Sequence, residues 1–463
     1  MILAASMATI GCRKIEVDGD KGSDGGNGGG NPEPDNLVLS GKINADRTLE
    51  SGKTYLLKGV AYVVDGAKLT IQEGAIIHGE KSSRGTLVVT RGAQIIANGT
   101  AEKPIVFTSD QASPVRGDWG GVVILGRAKT NASFNGTAGV GEIEGGVNNA
   151  EGLGLYGGAD DNDNSGVLKF VRIEYAGYAF LPDKELNGLT FGAVGKGTVV
   201  DHVQVSYAND DSYEWFGGSV DCTHLIAYKG LDDDFDTDNG FSGRIQFAIS
   251  FRDSAIADIS GSNGFESDND ANGSSLLPQT SPVFSNVTLV GPRATLENVG
   301  NSNFKRGMHI RRNSALSIFN SVVIGWPTGW LLDASTGTPT DQNLAGGTPK
   351  AFVSNTILAG NNSQISYAPS TTTPTGWTIT DVTNYFTRAG GGNQLLTNAA
   401  DAGLTAPFKY DASVDFNPAA GSAASSGADF SNSKLTGTFF TVTTYVGAAS
   451  VGDSWWKGWT SFQ

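Results

Sequence analysis

Cysteine and histidine are scarce in this chain, which has two cysteines and four histidines among 463 residues. Cys222 has only Cys12, close to the N-terminus, as a possible partner, and Cys12 is predicted to be lipidated, so we expect no internal disulfide. The histidines are scattered along the sequence, and no Cys or His pair has a metal-type spacing, which argues against a zinc site. Stability must therefore come from packing and from backbone hydrogen bonds.

Basic residues and helical periodicity are also in short supply. Charged residues make up only 17% of the chain, and the net charge is −15, which lacks the basic footprint that nucleic acid binding requires. No long segment repeats apolar residues at the helical spacing, whereas short runs rich in Val, Ile and Thr alternate with Gly, Asn and Asp. The composition therefore predicts an all-β protein, exported or cation-binding, that does not bind nucleic acid.

The N-terminus contains a processing signal. Residues 2–10 are apolar, and Thr9-Ile10-Gly11-Cys12 has the form of a bacterial lipobox, although the usual basic residues before the apolar segment are missing. We predict a lipoprotein signal peptide over residues 1–11, lipidation of Cys12, and a polar, Gly-rich tether over residues 12–36. These features predict a globular body held close to a membrane by a lipid anchor.

From residue 37 onward the sequence repeats itself. The segment GAKLTIQEGAIIHG, residues 66–79, is echoed by GTLVVTRGAQIIANG, residues 85–99. Each copy reads as strand, Gly-Ala turn, strand and Gly turn, which is typical of one coil of a β-solenoid. We predict a right-handed, single-stranded parallel β-helix over residues 37–360. Asn286, Asn320 and Asn355 precede three of its strands, and we expect their side chains to stack and hydrogen-bond to one another.

Longer inserts and an aromatic tail interrupt or follow this repeat. We predict protruding loops over residues 130–165, 187–196, 276–282 and 336–349. Residues 361–463 are predicted to be C-terminal coils followed by an aromatic segment that caps the open end of the solenoid.

Two bursts of carboxylates follow two apolar strands. The first contains Asp210, Asp211 and Glu214, and the second contains five aspartates. Because successive strands of a β-helix stack, the bursts should lie one above the other, where like charges need protons, basic groups or a metal. Calcium, which takes six to eight oxygen ligands, is the simplest cofactor for such a cluster. The members of the second burst are Asp232, Asp233, Asp234, Asp236 and Asp238.

Three segments alternate oxygen ligands as the start of a calcium loop does. They begin at Asp161, Asp234 and Asp268, and each lacks the Glu that closes an EF-hand loop. Our candidate metal ligands are therefore Asp161, Asp163, Asp232, Asp234, Asp236, Asp238, Asp268 and Asp270.

An enzymatic alternative uses the same region. A β-helix polysaccharide lyase needs a cation or an arginine to neutralise a uronate carboxylate, and a Lys or Arg base to remove the C5 proton. The acidic run 232–238 offers these parts together with the nearby Lys229, Arg244 and Arg252. A hydrolase needs two suitably separated carboxylates. No motif defines a general base, so we assign no catalytic residue. Candidate ligand-binding residues are Asp210, Asp211, Glu214, Trp215, Lys229 and Arg244.

Several longer motifs carry a family resemblance. The segments TYLLKGVAYVVDGAKLTIQEGAIIHG, DWGGVVILGRA, DDSYEWFGGSV, DDDFDTDNGFSGRIQF and YVGAASVGDSWWKGWTSF resemble a group of largely uncharacterised surface lipoproteins of Bacteroidota. The resemblance implies a right-handed parallel β-helix anchored in the outer membrane, often encoded beside TonB-dependent uptake receptors. It implies no catalytic residues.

The sequence thus predicts a lipid-anchored, cell-surface β-helix that binds a ligand, such as a glycan or another nutrient, and is stabilised by calcium. A TonB-dependent receptor complex is a candidate partner. A structural or adhesive surface protein and a carbohydrate-active enzyme remain the alternatives.

Overall fold

The computed structural model describes residues 35–181, 184–298 and 300–462. Residues 36–463 form one compact unit. The predicted signal peptide, the lipidation site Cys12 and most of the tether lie outside the described residues. No helix among the described residues is long and apolar enough to cross a membrane.

Short strands stack on one another in parallel to form a single sheet of 26 strands. Its strands in chain order are Val38–Ile43, Arg47–Leu49, Thr54–Val63, Lys68–Ile71, Ile76–Gly79, Thr86–Val89, Gln94–Asn98, Ile105–Ser109, Gly121–Leu125, Gly166–Glu174, Leu189–Gly192, Val199–Ser206, Tyr213–Phe216, Cys222–Tyr228, Phe235–Asp238, Arg244–Phe251, Asn263–Ser267, Val283–Val290, Arg306–Ile310, Ser317–Phe319, Val322–Ile324, Thr328–Asp333, Val353–Ser354, Ile357–Ala359, Ser363–Ala368 and Gln394–Leu396. Both copies of the sequence repeat form the predicted pairs of strands.

The pairing divides this sheet into three faces, which we call the first, second and third faces. In one coil, Cys222–Tyr228 runs through the first face and bends into the second, and Phe235–Asp238 then lies in the third. Each strand pairs with its equivalent in the next coil, so side chains at equivalent positions form columns along the molecule. This is the predicted right-handed parallel β-helix, whose parallel crossovers follow the usual hand.

From Phe170 onward, the bend between the first and second faces has a left-handed backbone at one residue of each coil. His202, His224 and Asn320 have φ values of 57°, 54° and 51°. Asn adopts this conformation more readily than most residues, which explains its recurrence before the strands of the later coils. The whole column is Phe170, His202, His224, Phe247, Asn286, Asn320 and Asn355.

Apolar side chains that point into the coils form one continuous core. Leu225, Phe235 and Ile245 are among its fully buried members. Trp215 also points inward, with no exposed surface, and it stacks on Phe191 with ring centroids 5.7 Å apart. Because Trp215 is enclosed by the core, its predicted role in ligand binding is replaced by a packing role.

The inserts differ in part from the prediction. Residues 130–158 fold over the third face of the early coils, where Ile143, Val147 and Tyr156 cover Val88 and Val123. Two short hairpins lie in this segment, Ser133–Phe134 with Thr137–Ala138 and Gly141–Glu142 with Leu155–Tyr156. A third joins Ala179–Leu181 and Lys184–Glu185. Residues 187–196 are not an insert, because Leu189–Gly192 is a fully buried strand of the third face.

The C-terminal region covers the molecule in two places. The helix Ile379–Phe386 contributes Val382 and Phe386 to the end of the core, where the ring centroid of Phe386 lies 5.9 Å from that of Trp330. This region also contains the hairpin Leu404–Ala406 with Asp415–Pro418 and the 3-10 turns Ala399–Ala402, Ala423–Ser425 and Ser433–Leu435. Two further 3-10 turns lie at Asp35–Leu37 and Thr340–Asn343.

The aromatic tail lies along the side of the β-helix, not over its end. Trp456 and Trp459 are buried against the outward apolar residues of the second face, in a cluster that includes Ile226 and Ile249. The tail runs back towards earlier coils, since Asp429 bonds to Asn320 and Ser461 bonds to Gln204. The apolar outer surface of the second face explains this position, because it would otherwise be exposed to water.

Candidate functional site

The two carboxylate bursts lie one above the other, as predicted, at the edge of the third face. Strand pairing places Glu214 beside Asp236 and Asp236 beside Glu266. In the preceding turn, the backbone N–H of Asp233 donates a 2.8 Å hydrogen bond to Asp211 Oδ1, across an offset of 22 residues. Two columns of carboxylates therefore run side by side, one with Glu214, Asp236 and Glu266 on three successive coils and the other with Asp211 and Asp233 on two of them.

These columns form the floor of an open cleft of about 380 Å³, which we call the acidic cleft. Ten carboxylates line it, and no lysine or arginine is among its lining residues in the described part of the chain. The ten are Glu144, Glu185, Asp210, Asp211, Glu214, Asp232, Asp233, Asp236, Asp258 and Glu266. Asn209, Leu231, Ile259 and Ser260 complete the lining.

The environment of these groups disfavours their charged form. Burial, together with neighbouring carboxylates, raises the pKa of Asp211, Glu214 and Asp236 well above the usual range. Burial raises the pKa of Asp232 to about 6. The same causes raise the pKa of Asp210 and Asp233. A cation in the cleft would remove this repulsion and allow the groups to ionise at neutral pH.

Glu266, at the far end of the cleft, behaves differently. Burial opposes its ionisation, but a hydrogen bond with His309 and the charge of Arg311 lower the pKa of Glu266 below its usual value. His309 Nδ1 lies 3.2 Å from Glu266 Oε2, and His309 Nε2 lies 3.3 Å from Asp333 Oδ2. The cleft therefore ends in a network of opposite charges that holds Glu266 in place.

Amide side chains hold both ends of the columns. Asn187 Nδ2 donates to Glu214 Oε2 at one end. At the other end, Asn263 Nδ2 lies 3.0 Å from Asp233 Oδ1 and 3.1 Å from Glu266 Oε2. In the turns before the third-face strands, Asn187, Asp211, Asp233 and Asn263 occupy equivalent positions in successive coils, so the two asparagines lie at the two ends of this column. The oxygens that face the middle of the cleft remain available to a ligand.

Only part of the predicted metal set reaches the cleft. Asp232 and Asp236 line it, whereas Asp234 is turned away and pairs with Arg252. Asp238 lies outside it and accepts hydrogen bonds from Asn239, and its own pKa is raised by burial and by Asp268.

The two remaining calcium-like loops do not assemble into a cluster of oxygens. Asp161 pairs with Lys129 at 2.6 Å, and Asp163 is buried beside Ser165. Asp268 lies between two guanidinium groups, with Arg311 Nε and Arg312 Nη1 both 2.7 Å from its oxygens. Asp270 accepts hydrogen bonds from Asn272 and Ser274 in its own turn. Local partners thus take up the charges and lone pairs that a cation would need.

The predicted basic residues also lie away from the cleft. Lys229 Nζ is 4.8 Å from the ring centroid of Tyr228, at the corner between the second and third faces. Arg244 is on the first face and forms hydrogen bonds to Asp221, with its Nε 3.0 Å from Asp221 Oδ1. Asp210, Asp211 and Glu214 are the predicted ligand-binding residues that do line the cleft.

Sequence reasoning missed five of the cleft carboxylates as site residues, namely Glu144, Glu185, Asp233, Asp258 and Glu266. The coil period offers a signal for two of them. Asp233 follows Asp211 by 22 residues, and the next coil adds a further 30 residues to reach Asn263, three positions before Glu266. Glu144, Glu185 and Asp258 come from loops whose position only the tertiary structure determines.

A second cluster joins two histidines at equivalent positions of adjacent coils. The Nδ1 atoms of His202 and His224 lie 2.7 Å and 2.8 Å from the same oxygen, Asp201 Oδ1, and the two rings stack with centroids 4.2 Å apart. Burial opposes ionisation of Asp201, but these hydrogen bonds hold its pKa well below the usual range. Trp455 and Trp459 of the tail pack against this pair, which indicates a structural role.

Comparison with known proteins supports the fold. A profile of the family described as "Pectate-lyase like beta helix domain" matches residues 41–405. A comparison with curated proteins finds no match for this chain. The matched range includes every strand of the large sheet after the first, and all the residues that line the acidic cleft. The chain therefore belongs to the family of pectate-lyase-like β-helix domains.

Proposed function

We propose that this protein is a cell-surface lipoprotein that binds calcium in the acidic cleft and, through that site, a glycan or another nutrient. In this proposal, Cys12 carries the lipid anchor in the outer membrane, and a TonB-dependent receptor complex is the transport partner. The β-helix supplies a rigid frame, and the cleft supplies the binding function.

The observation that carries the proposal is the convergence of ten carboxylates in one cleft that no lysine or arginine lines in the described part of the chain. Elsewhere in the protein, buried carboxylates have partners, as Asp268 has in Arg311 and Arg312. In the cleft, Arg311 pairs with Glu266 at one end. Asp211, Glu214 and Asp236 are buried among further carboxylates, which is costly unless protons or cations compensate them. Carboxylate oxygens are the ligands that calcium prefers.

The residues present fit calcium better than zinc or another soft metal. Asp211, Glu214 and Asp236 each offer an oxygen, and these three oxygens lie within 4.8 Å of one another. No cysteine or histidine lines the cleft in the described residues. Calcium bound there would leave coordination positions open to the cleft mouth, where hydroxyl or carboxylate oxygens of a glycan could replace water.

A carbohydrate-active enzyme is the second candidate, favoured by the description of the family. A lyase needs a basic residue close to the cation to remove a proton. Lys229 and Arg244 do not line the cleft, and that is why we place binding before catalysis. A structural or adhesive role is the third candidate, and it requires neither calcium-dependent ligand binding nor turnover.

The test of calcium binding is thermal unfolding of the Cys12→Ser chain in calcium and in EGTA. A ligand at a hundredfold excess over its Kd stabilises the folded state by about 2.7 kcal/mol. We expect calcium to raise the midpoint of wild type but not that of the Asp211→Asn/Asp236→Asn variant. Asp65→Asn, which changes an exposed carboxylate paired with Arg127, is the matched control and should respond as wild type does.

A glycan array probed in calcium and in EGTA tests the second half of the proposal. Binding in calcium that EGTA abolishes supports a glycan receptor. Depolymerisation of a bound polysaccharide would support the enzyme instead. If calcium shifts no midpoint, the cleft is not a calcium site and the proposal fails.

A further inference from the structure

We infer that the acidic cleft holds a row of at least two divalent cations, bridged by Asp236, instead of a single ion. This inference rests on the proposed calcium-binding function and specifies its stoichiometry and its bridging residue.

The first argument is the way the carboxylates group. Three groups of three each place one oxygen per residue within 4.8 Å of the other two, a spread that one calcium ion can span. In order along the cleft, the first group is Asp210, Asp211 and Asp232, the second is Asp211, Glu214 and Asp236, and the third is Asp233, Asp236 and Glu266. The groups overlap, because the first and second share Asp211 and the second and third share Asp236.

The second argument is distance. Neighbouring strands of a sheet are about 4.8 Å apart, so two coil steps extend about 10 Å. Strand register places Glu214, Asp236 and Glu266 on three successive coils. Calcium–oxygen bonds are about 2.3–2.6 Å long, so one ion can join two adjacent coils but cannot contact the first and the third. A single ion between the first two coils would not contact Glu266, and one between the last two would not contact Glu214.

The third argument is the pattern of unpaired atoms. Among the described residues, Asp232 Oδ1 and Asp236 Oδ1 are buried oxygens with no hydrogen-bond donor, so each of the three groups contains at least one such atom. Asn263 has only 1% of its surface exposed, and its amide lies against Asp233 and Glu266 while its Oδ1 has no hydrogen-bond partner in this part of the chain. Rotation of this amide would turn a neutral oxygen towards the third group.

Charge balance points the same way. Seven carboxylates belong to the three groups, and one calcium ion neutralises only two negative charges. Arg311 compensates Glu266 at one end, but Asp210, Asp211 and Glu214 have no basic neighbour among the residues lining the cleft. A row of ions, with one ion for each group of oxygens, therefore compensates more of the cluster than a single ion does.

The experiment is native mass spectrometry of the full Cys12→Ser chain titrated with calcium, with isothermal calorimetry for the stepwise affinities. Wild type should bind at least two ions. Asp236→Asn, which alters a ligand shared by two groups, should weaken more than one binding step. Asp210→Asn, which alters a ligand of one terminal group, should weaken only one step, and Asp65→Asn should weaken none.

Circular dichroism in EGTA checks that each variant is folded, and Glu266→Gln provides a second terminal variant should Asp210→Asn unfold. Saturation at a single calcium ion would support the proposed function and overturn the row. An Asp236→Asn variant that loses no more than a terminal variant would also overturn it. Absence of any bound calcium would contradict both the row and the calcium site.

Discussion

Arg252 Nη1 donates a 2.7 Å hydrogen bond to Asp234 Oδ1, and both side chains are completely buried. Asp234 belongs to the run of five acidic residues that the sequence presents as one metal-binding burst. In the structure, this residue neutralises an arginine from the following coil, while Asp232, Asp233 and Asp236 turn towards the acidic cleft. Within this acidic run, Asp234 therefore has a structural role in an ion pair, whereas Asp232, Asp233 and Asp236 line the cleft.

Removal of one partner from this buried ion pair should strongly destabilise the protein. Arg252→Met leaves Asp234 charged and unpaired in the interior, and we expect a loss of about 3–5 kcal/mol in the free energy of unfolding. Chemical denaturation measures this loss. Arg127→Met, which breaks the exposed pair with Asp65, is the control and should cost less than about 1 kcal/mol. Equal losses in the two variants would refute a structural role for the buried pair.

In the absence of cations, the free energy of unfolding should fall as pH rises, because the carboxyl groups of the acidic cleft have raised pKa values. Burial raises the folded-state pKa values of Asp210, Asp211, Glu214 and Asp236 above their unfolded values. Below the unfolded pKa, near 4, these carboxyl groups are protonated in both states, and their full contribution to stability is present. As pH rises through the folded pKa, the unfolded state has already lost these protons and the folded state must also lose them, so this stability is lost. In EGTA, the free energy of unfolding should therefore fall between pH 5 and pH 8.

Urea denaturation at several pH values in that window checks this dependence. Saturating calcium should flatten it, since the bound ion replaces the protons. Asp211→Asn/Asp236→Asn should be less dependent on pH than wild type in EGTA. A wild-type protein in EGTA that is more stable at pH 8 than at pH 5 would contradict the assignment of raised pKa values.

The aromatic tail should contribute to the stability of the middle coils. Trp459 is 1% exposed and packs on His202 and Phe170, with ring centroids 5.6 Å and 5.8 Å away. Trp459→Ala should cost about 3–5 kcal/mol, as other buried Trp truncations do. Hydrogen exchange should show faster exchange in Val199–Ser206 than in the distant strand Ile76–Gly79. Val442→Ala, at a tail position that is 75% exposed, should change neither quantity.

Asn320 should anchor the tail through its side chain. Its Oδ1 accepts a 2.9 Å hydrogen bond from the backbone N–H of Asp429, and its Nδ2 lies 3.1 Å from Ser285 Oγ. Its Nδ2 also donates to the carbonyl oxygen of Asp429 at 3.3 Å. Asn320→Ala removes these bonds and places alanine at a φ of 51°, so we expect a loss of about 2 kcal/mol in thermal or chemical unfolding. Asn320→Gly, which tolerates this φ, should lose less. Equal losses would show that backbone strain contributes nothing.

The tail contacts also correct the expectation for the Asn column. Asn286 Nδ2 donates to Thr443 Oγ1 and to the carbonyls of Tyr445 and Gly447 in the returning tail. Its Oδ1 accepts from Gln246 and Ser285, so none of these partners is a neighbouring Asn side chain. The sequence marks these positions because each needs a left-handed backbone. The partner of each side chain depends on where a segment more than a hundred residues away comes to lie.

The fold class could be predicted from the sequence because it depends on local patterns. Short strands, Gly turns and a recurring coil length specify stacked parallel strands, and the register of Glu214 with Asp236 follows from a coil of 22 residues. The convergence of the two acidic bursts was predictable for the same reason. Periodicity alone carries that information.

The tertiary structure decided which carboxylates share a site. Alternation along the strand Phe235–Asp238 turns Asp236 outward. Asp234 lies just before this strand, outside the alternation, and is buried beside Arg252. The basic residues after Ile310 neutralise Asp268. Glu144, Glu185 and Asp258 line the cleft from loops, and the lengths of these loops do not predict where the three side chains lie in the folded protein. The sequence determined that carboxylates would stack. The placement of arginines and loops around them decided which carboxylates line the cleft and which, like Asp234, pair with an arginine in the core, because charge compensation depends on distances that only the folded chain establishes.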